Sequence, residues 1–241
     1  MMMLIQIYAF TRISDAQQAA ELGVDHIGFI AGDYGLVPGE LSFVQARQLA
    51  AAVESNRRLP VGVHSVALTM ATEVDEILRM AAAVEPDIIH ISTDPWQVGV
   101  GAMEELRARL SPRIKLMKAI PVGGEEALQL AQEFTPLCDF LLLDTKIHGM
   151  PGVGATGRTH DWTISRRIVE LVSIPVILAG GLAPENVNQA IALVQPAGVD
   201  SNTSTNQPGD PVKKDMERIR RFVSAARIGP PYQPPNPMPD P

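Results

Sequence analysis

The sequence predicts an α/β fold, a closed (β/α)8 TIM barrel in a single domain over residues 1–226. Three observations carry this. Short β-branched runs alternate with helical patterns eight times between residues 3 and 226. The strands read as continuous apolar runs, the pattern of a parallel sheet covered by helices, and not as the alternation of a half-solvated sheet. Eight such units in one chain favour closure over an open doubly wound sheet, the alternative fold.

The runs place strands at 3–9, 25–30, 60–65, 87–92, 114–120, 138–144, 175–179 and 198–201. Helices are expected at 14–22, 42–54, 72–84, 101–109, 124–134, 162–172, 184–194 and 212–226. Ser14 with Gln17 forms a capping-box pattern and Gly23 suits the stop; Thr72 with Asp75 repeats the pattern less strictly. Asp161 is placed to accept from the free N–H groups of the next helix. Pro184 and Pro211 suit first helical positions. Val187, Ala190, Ile191 and Val194 share one helical face. Residues 227–241 hold too many prolines for a helix or a central strand, and are expected to form an extended, mobile tail.

Composition narrows the partners. A net charge of −7, with no basic run interleaved with aromatics, argues against nucleic acid. Cys138 is the sole cysteine, so no intramolecular disulfide can form, which fits a reducing cytoplasm; its place before an apolar run reads as packing. The N-terminus lacks a basic segment followed by a long apolar run, and reads as a first strand. No stretch of 18 apolar residues is present, so no membrane span is expected. Monomer and homodimer are both open.

The segment Leu141–Ser204 concentrates the chemistry. Gly180-Gly181 ends one strand, where the lack of a Cβ lets backbone N–H groups approach a ligand. The next strand ends in Ser201-Asn-Thr-Ser-Thr-Asn206, rich in hydroxyls and amides. Loops after the seventh and eighth strands of such barrels frequently bind phosphate through backbone N–H groups. Gly180, Gly181, Asn202, Thr203 and Ser204 are therefore the expected phosphate ligands. An ordinary turn and a polar loop are the plainer reading. Asp200 either serves the site or orders that loop. Asp144 ends an apolar strand at the rim where barrel active sites lie, and can act as a general acid if burial raises its pKa; the alternative is a loop carboxylate capping N–H groups.

Gly152-Val-Gly-Ala-Thr-Gly157 matches a dinucleotide fingerprint by letters, but Asp161 separates it from the helix it should open. It reads instead as a loop, Gly157 included, that can close over a substrate. None of the histidines shows zinc-site spacing, and no cofactor or metal is implied. His64 and His90, near predicted strand ends, can reach the mouth; a structural role is the alternative for each. His26 should face away from the site, and His148 and His160 lie in or beside the loop after the sixth strand. Trp96 and Trp162 read as packing residues.

Taken in order, these segments resemble the phosphoribosylanthranilate isomerase family of tryptophan biosynthesis. The matching pieces are Phe10-Thr-Arg-Ile-Ser-Asp-Ala16, Gly23-Val-Asp-His-Ile-Gly-Phe29, Met117-Lys-Ala119, Leu141-Leu-Leu-Asp-Thr145, Gly154-Ala-Thr-Gly-Arg-Thr-His-Asp-Trp162 and Ala179-Gly-Gly-Leu-Ala-Pro-Glu-Asn-Val187, within residues 3–226. The resemblance implies an Amadori aldose–ketose isomerisation of a phosphorylated aminosugar, a small phosphorylated substrate and no cofactor. It implies Asp144 as the general acid and a phosphate on the loops at Gly180-Gly181 and Asn202-Thr203-Ser204.

Four departures stand out. The family's first strand reads Lys-Ile-Cys-Gly, its cysteine being the general base; here it is Gln6-Ile-Tyr8-Ala9. Tyrosine, with an unperturbed pKa of about 10 against about 8.5 for cysteine, is bulkier and a poor base at neutral pH. The loop after the second strand, Gly32-Asp-Tyr-Gly-Leu-Val-Pro-Gly-Glu40, has lost the family's arginine and should repel a carboxylate. The eighth loop has lost its glycine. His90-Ile-Ser-Thr-Asp94 also replaces the family's Gln-Leu-His-Gly. Three readings follow: the isomerase with a substituted base, a divergent enzyme on another sugar phosphate using Asp144 with Tyr8, His64 or His90, and a non-catalytic sugar-phosphate-binding protein.

Overall fold

The computed structural model describes residues 2–32, 35, 37–55, 62–145 and 159–228. In chain order its strands are β1 (Leu4–Ile7), β2 (His26–Ala31), β3 (Glu40–Leu41), β4 (His64–Thr69), β5 (Ile88–Ile91), β6 (Lys115–Pro121), β7 (Phe140–Asp144), β8 (Val176–Leu178) and β9 (Gly198–Ser201). The helices are α1 (Ile13–Glu21), α2 (Phe43–Ser55), α3 (Val74–Val84), α4 (Val100–Arg109), α5 (Glu126–Phe134), α6 (Trp162–Leu171), α7 (Val187–Val194) and α8 (Met216–Arg227). Eight strands pair in parallel in the order β1, β9, β8, β7, β6, β5, β4, β2, and β2 returns to β1, which closes the barrel. The short β3 adds beside the end of β2.

The core forms two shells. Most buried apolar side chains lie between sheet and helices. Inside the barrel a smaller cluster holds Tyr8, Val66, Ile88, Met117, Phe140, Leu142, Ile177 and Ala179. Inward side chains alternate along each strand, so Gln6 of β1 and Tyr8 just after it point inward. Gly198 keeps the β1–β9 seam tight: a Cβ there would lie 2.8 Å from Leu4 Cβ and 3.0 Å from its carbonyl oxygen.

The same seam is clamped near its N-terminal end. Asp25, just before β2, accepts from Ile5 N–H at 2.8 Å and from Arg227 Nη2 at 2.9 Å. Arg227, at the end of α8, also donates to the carbonyls of Met3 and Gly23.

Most element positions agree with the sequence reading, and the differences have local causes. The third barrel strand runs over 64–69 instead of 60–65. Its start is set by Asp87, whose carboxylate accepts from Ser65 N–H and Oγ, each at 2.9 Å, and by the pairing of His64 with His26. Ser14 does not cap α1, whose N-cap is Arg12; Glu73, not Thr72, precedes α3. Asp161 does cap α6, accepting from Thr163 N–H at 2.8 Å. Pro184 and Pro211 lie in turns ahead of α7 and α8, and Asp215 caps α8. Gly23 ends α1 with φ +95° as expected. The helical face Val187, Ala190, Ile191 and Val194 is buried, as is Cys138, whereas Trp96 is 73 % exposed, against the packing role expected of it. Among the described residues no helix is long and apolar enough to cross a membrane. The proline-rich tail from residue 229 and the loop 146–158, with Gly157 and His148, lie outside the described residues.

Candidate functional site

The C-terminal ends of β7 and β9 set two carboxylates into the barrel mouth. Asp144 closes β7, where Thr145 N–H donates to its Oδ1 at 2.7 Å. Burial pushes its pKa up to about 7 against the pull of that hydrogen bond. Asp200, on β9, is 7 % exposed. Burial first, and then the charge of Asp144, push it up to about 8, against the pull of the Gln6 amide and Lys214. Its Oδ1 has no hydrogen-bond partner. With both carboxyls raised into the neutral range and the charge of Asp144 acting on Asp200, near neutral pH one can carry a proton while the other is ionised.

Tyr8 occupies the mouth on the β1 side. Its hydroxyl and His90 Nδ1 share a hydrogen bond of 2.8 Å. The ring lies across Gly28, where an added Cβ would come within 2.5 Å of Tyr8 Cδ1. Burial, then the charge of Asp200, hold the phenol well above its usual pKa, while burial and Lys118 hold His90 down to about 3. Both are neutral at physiological pH. The two rings carry two polar protons, one of which is spent in their mutual bond. Whichever tautomer holds, the dyad offers one further donor. His90 Nε2 is buried without a partner. Ala9, where the family has glycine, takes the left-handed backbone at φ +65°.

Gly28→Ala should cost about 1–3 kcal/mol through this overlap. In Gly28→Ala/Tyr8→Cys most of that cost should vanish, as read by urea unfolding of both variants and the two single parents. Strictly additive costs would show that Gly28 does not serve the Tyr8 ring.

The loops after β8 and β9 lie beside Asp144. Gly180 and Gly181 have φ of +82° and +62°. A Cβ on Gly180 would meet Thr145 Oγ1 at 2.8 Å, His160 Nδ1 at 2.9 Å and Asp144 Oδ1 at 3.3 Å. Asn186 fixes this turn, accepting from Ala183 N–H at 2.8 Å and donating to Gly181 O at 3.1 Å. Ser201 Oγ ties the loops together through Leu182 O at 2.9 Å. Thr203–Thr205 form one 3-10 turn. The N–H groups of Gly180, Gly181, Asn202 and Thr203 donate to no backbone acceptor among the described residues, so two adjacent loops present free donors at one rim.

Lys214 supports the second loop from within. It is 4 % exposed, and its Nζ donates to Asn206 Oδ1 at 2.6 Å and Asn202 Oδ1 at 3.2 Å. Burial lowers its pKa to about 7, against the charges of Asp200 and Asp15. Nothing in the sequence distinguishes it from a solvated lysine, because its burial arises from the Asn206–Lys214 bridge.

Asp144, Asp200, Tyr8, His90 and the two loops thus share one mouth. His64 does not. It opens β4 at the opposite end of the barrel, with Nδ1 3.9 Å from Asp87 Oδ2, a consequence of the shifted strand. His26 lies buried at that end, bonded to Gln6 Oε1 at 3.1 Å. His160 does border the mouth, with Nε2 2.7 Å from Ser165 Oγ and Nδ1 3.3 Å from Thr145 Oγ1. Among the described residues no cluster of His, Cys, Asp and Glu could hold a metal ion. Gln6, Gly28 and Lys214 are the contributors that sequence reasoning missed; for Gly28 the available signal was a lone glycine inside an apolar strand.

Comparison with known proteins agrees with this architecture. Residues 5–225 match the family described as N-(5'phosphoribosyl)anthranilate (PRA) isomerase. The N-(5'-phosphoribosyl)anthranilate isomerase of Methanothrix thermoacetophila is 35% identical over 86% of this chain and 91% of its own length. That of Haloferax volcanii is 32% identical over 92% of each. The crystal structure of the Thermotoga maritima enzyme superposes with a TM-score of 0.75 at 26% identity, covering 93% of this chain and 98% of that one. Another solved isomerase, in complex with reduced 1-(o-carboxyphenylamino)-1-deoxyribulose 5-phosphate, gives a TM-score of 0.73 at 25% identity, over 93% of this chain and 98% of that one. With a matched family spanning nearly the whole chain and relatives above 30% identity, this chain belongs to the N-(5'-phosphoribosyl)anthranilate isomerase family.

Proposed function

We propose that this protein catalyses an Amadori isomerisation of a phosphorylated aminoaldose to the aminoketose, with N-(5'-phosphoribosyl)anthranilate as its substrate in tryptophan biosynthesis. The observation that carries this reading is Asp144, a half-buried carboxyl raised to about 7 at the barrel's C-terminal rim and adjoining Gly180. A carboxyl that still holds its proton near neutral pH can protonate the furanose ring oxygen and open the ring to a Schiff base. The free N–H groups at Gly180, Gly181, Asn202 and Thr203, with Ser204 beside them, would hold the phosphate, with Lys214 adding positive charge behind Asn202. Fixing the phosphate there would place the sugar between Asp144 and Asp200. Gly157 is proposed to bind the substrate.

Incubating the purified protein with N-(5'-phosphoribosyl)anthranilate and following loss of anthranilate fluorescence tests this reading. Turnover, together with growth of a tryptophan auxotroph lacking this step, is expected. A folded protein inactive in both would sink it. The Tyr8 ring lying across Gly28 favours a second reading, a substrate smaller than the anthranilate adduct on the Tyr8 side. A thermal-shift screen of sugar phosphates would find it by stabilisation with a ligand lacking the aromatic acid.

A further inference from the structure

The isomerisation needs a base at C2 of the sugar, and the first strand no longer supplies one. Tyr8 is protonated and bonded to His90, and His90 is a very weak base. Neither ring can take a proton from carbon at neutral pH. Asp200 pairs in register with Gln6 across the β1–β9 seam, two residues before Tyr8, and its charge acts on the Tyr8 phenol. Its Oδ1 is buried without a hydrogen-bond partner. A buried carboxylate oxygen left unpaired is costly unless it serves a ligand. The groups facing Asp200 are Gln6 and Tyr8 from β1, Asp144 from β7 and Lys214 from the segment after β9; His90 of β5 stands behind Tyr8.

We propose that Asp200 is the general base, displaced from the first strand to β9, and that the Tyr8–His90 dyad acts beside it as a neutral donor. This rests on the isomerase reading above. Asp144 and Asp200, raised to about 7 and about 8, hold one proton between them near neutral pH, and the reaction starts from the form with that proton on Asp144. Asp144 gives it to the ring oxygen as the C1–O bond breaks and the nitrogen lone pair forms C1=N. The Asp200 carboxylate then takes the C2 proton. The C–H electron pair becomes C1=C2, and the C1=N pair returns to nitrogen. Finally Asp200 gives its proton to C1, the enol O–H proton passes to Asp144, and C2 becomes the ketone carbon. The pair ends as it began, and no co-reactant is consumed. Lys214, bonded to Asn202, favours the ionised form of Asp200 and so ties the base to the loop proposed to hold phosphate.

The test compares Asp200→Asn and Tyr8→Phe with the wild-type chain on N-(5'-phosphoribosyl)anthranilate. Asp200→Asn should lower kcat by about 10²–10⁴-fold and abolish the acid limb of the pH profile, since that limb reports ionisation of the base. The Kd for reduced 1-(o-carboxyphenylamino)-1-deoxyribulose 5-phosphate should stay within about threefold, and the Tm at pH 9 should rise, because a buried carboxylate has been removed. Tyr8→Phe should lose less than about tenfold in kcat and keep that limb. An Asp200→Asn variant within tenfold of wild type, or one that melts lower and no longer binds the analogue, overturns the assignment while leaving the isomerase reading intact. Wild-type protein without turnover overturns both.

Discussion

Asp144→Asn is expected to lower kcat by about 10²–10⁴-fold, the usual span for a lost general acid. Binding of the reduced product analogue should persist. The asparagine amide matches the carboxyl in shape and can still accept from Thr145 N–H, now at 2.7 Å. The loss should fall on kcat and kcat/KM together, which marks an interaction made in the transition state. Stability should move the other way above neutral pH. The folded pKa is raised to about 7 from its ordinary value of 3.8. Such a group stabilises fully below its unfolded pKa, and that contribution is lost as pH rises through the folded value. At pH 8.5 the wild type holds a half-buried, poorly solvated carboxylate that the variant lacks, so the variant should be more stable by about 2 kcal/mol. Unfolding in urea at pH 5 and pH 8.5 reads this as a difference that opens with pH. An active variant, or one destabilised at both pH values, would remove Asp144 from the acid's role.

Arg227→Met is expected to be the most damaging single change to the closed barrel. The guanidinium joins the end of α8 to the carbonyls of Met3 and Gly23 and to Asp25, whose carboxylate also receives Ile5 N–H. The Asp25 side chain is 8% exposed, so removing the arginine leaves a buried charge without its cation. Breaking such a pair from one side costs about 3–5 kcal/mol. In a domain of this size that corresponds to about 6–20 °C in Tm. The pKa of Asp25 is already raised, burial outweighing Ile5 and Arg227, and without Arg227 it would rise further. The sign of the pH dependence follows: protonated Asp25 is tolerated, so the loss should be smaller at pH 5 than at pH 8. A pH-independent loss, or none, would show that the seam does not depend on this ion pair.

Much of the fold was legible because its signals are local. Each barrel strand needs a short apolar run, and each helix needs a periodic face and an end. Val187, Ala190, Ile191 and Val194 show this plainly, as does the Asp161 cap. Errors came where a distant partner sets a boundary. Val61 and Val63 mark an apolar run, but Asp87 and the pairing with His26 start β4 at His64. That shift of one strand carried His64 from the mouth to the opposite end.

Sequence by itself determined the eight-unit barrel, the family, and the placing of Asp144 and the two glycine- and hydroxyl-rich loops on one rim. Those follow from the order of elements in a parallel barrel, where every strand's C-terminal end lies on the same side. Tertiary structure alone decided the relations across the mouth. Closure of β1 onto β9 and β2 sets Tyr8 over Gly28 and against His90, brings the Asp200 charge to Tyr8, and exposes Asp200 to the charge of Asp144. It also buries Lys214 behind Asn202. These contacts join residues distant in sequence through register and closure, and their consequences are electrostatic. Desolvation and neighbouring charge reshape the proton affinities of ordinary side chains only after the barrel has closed around them.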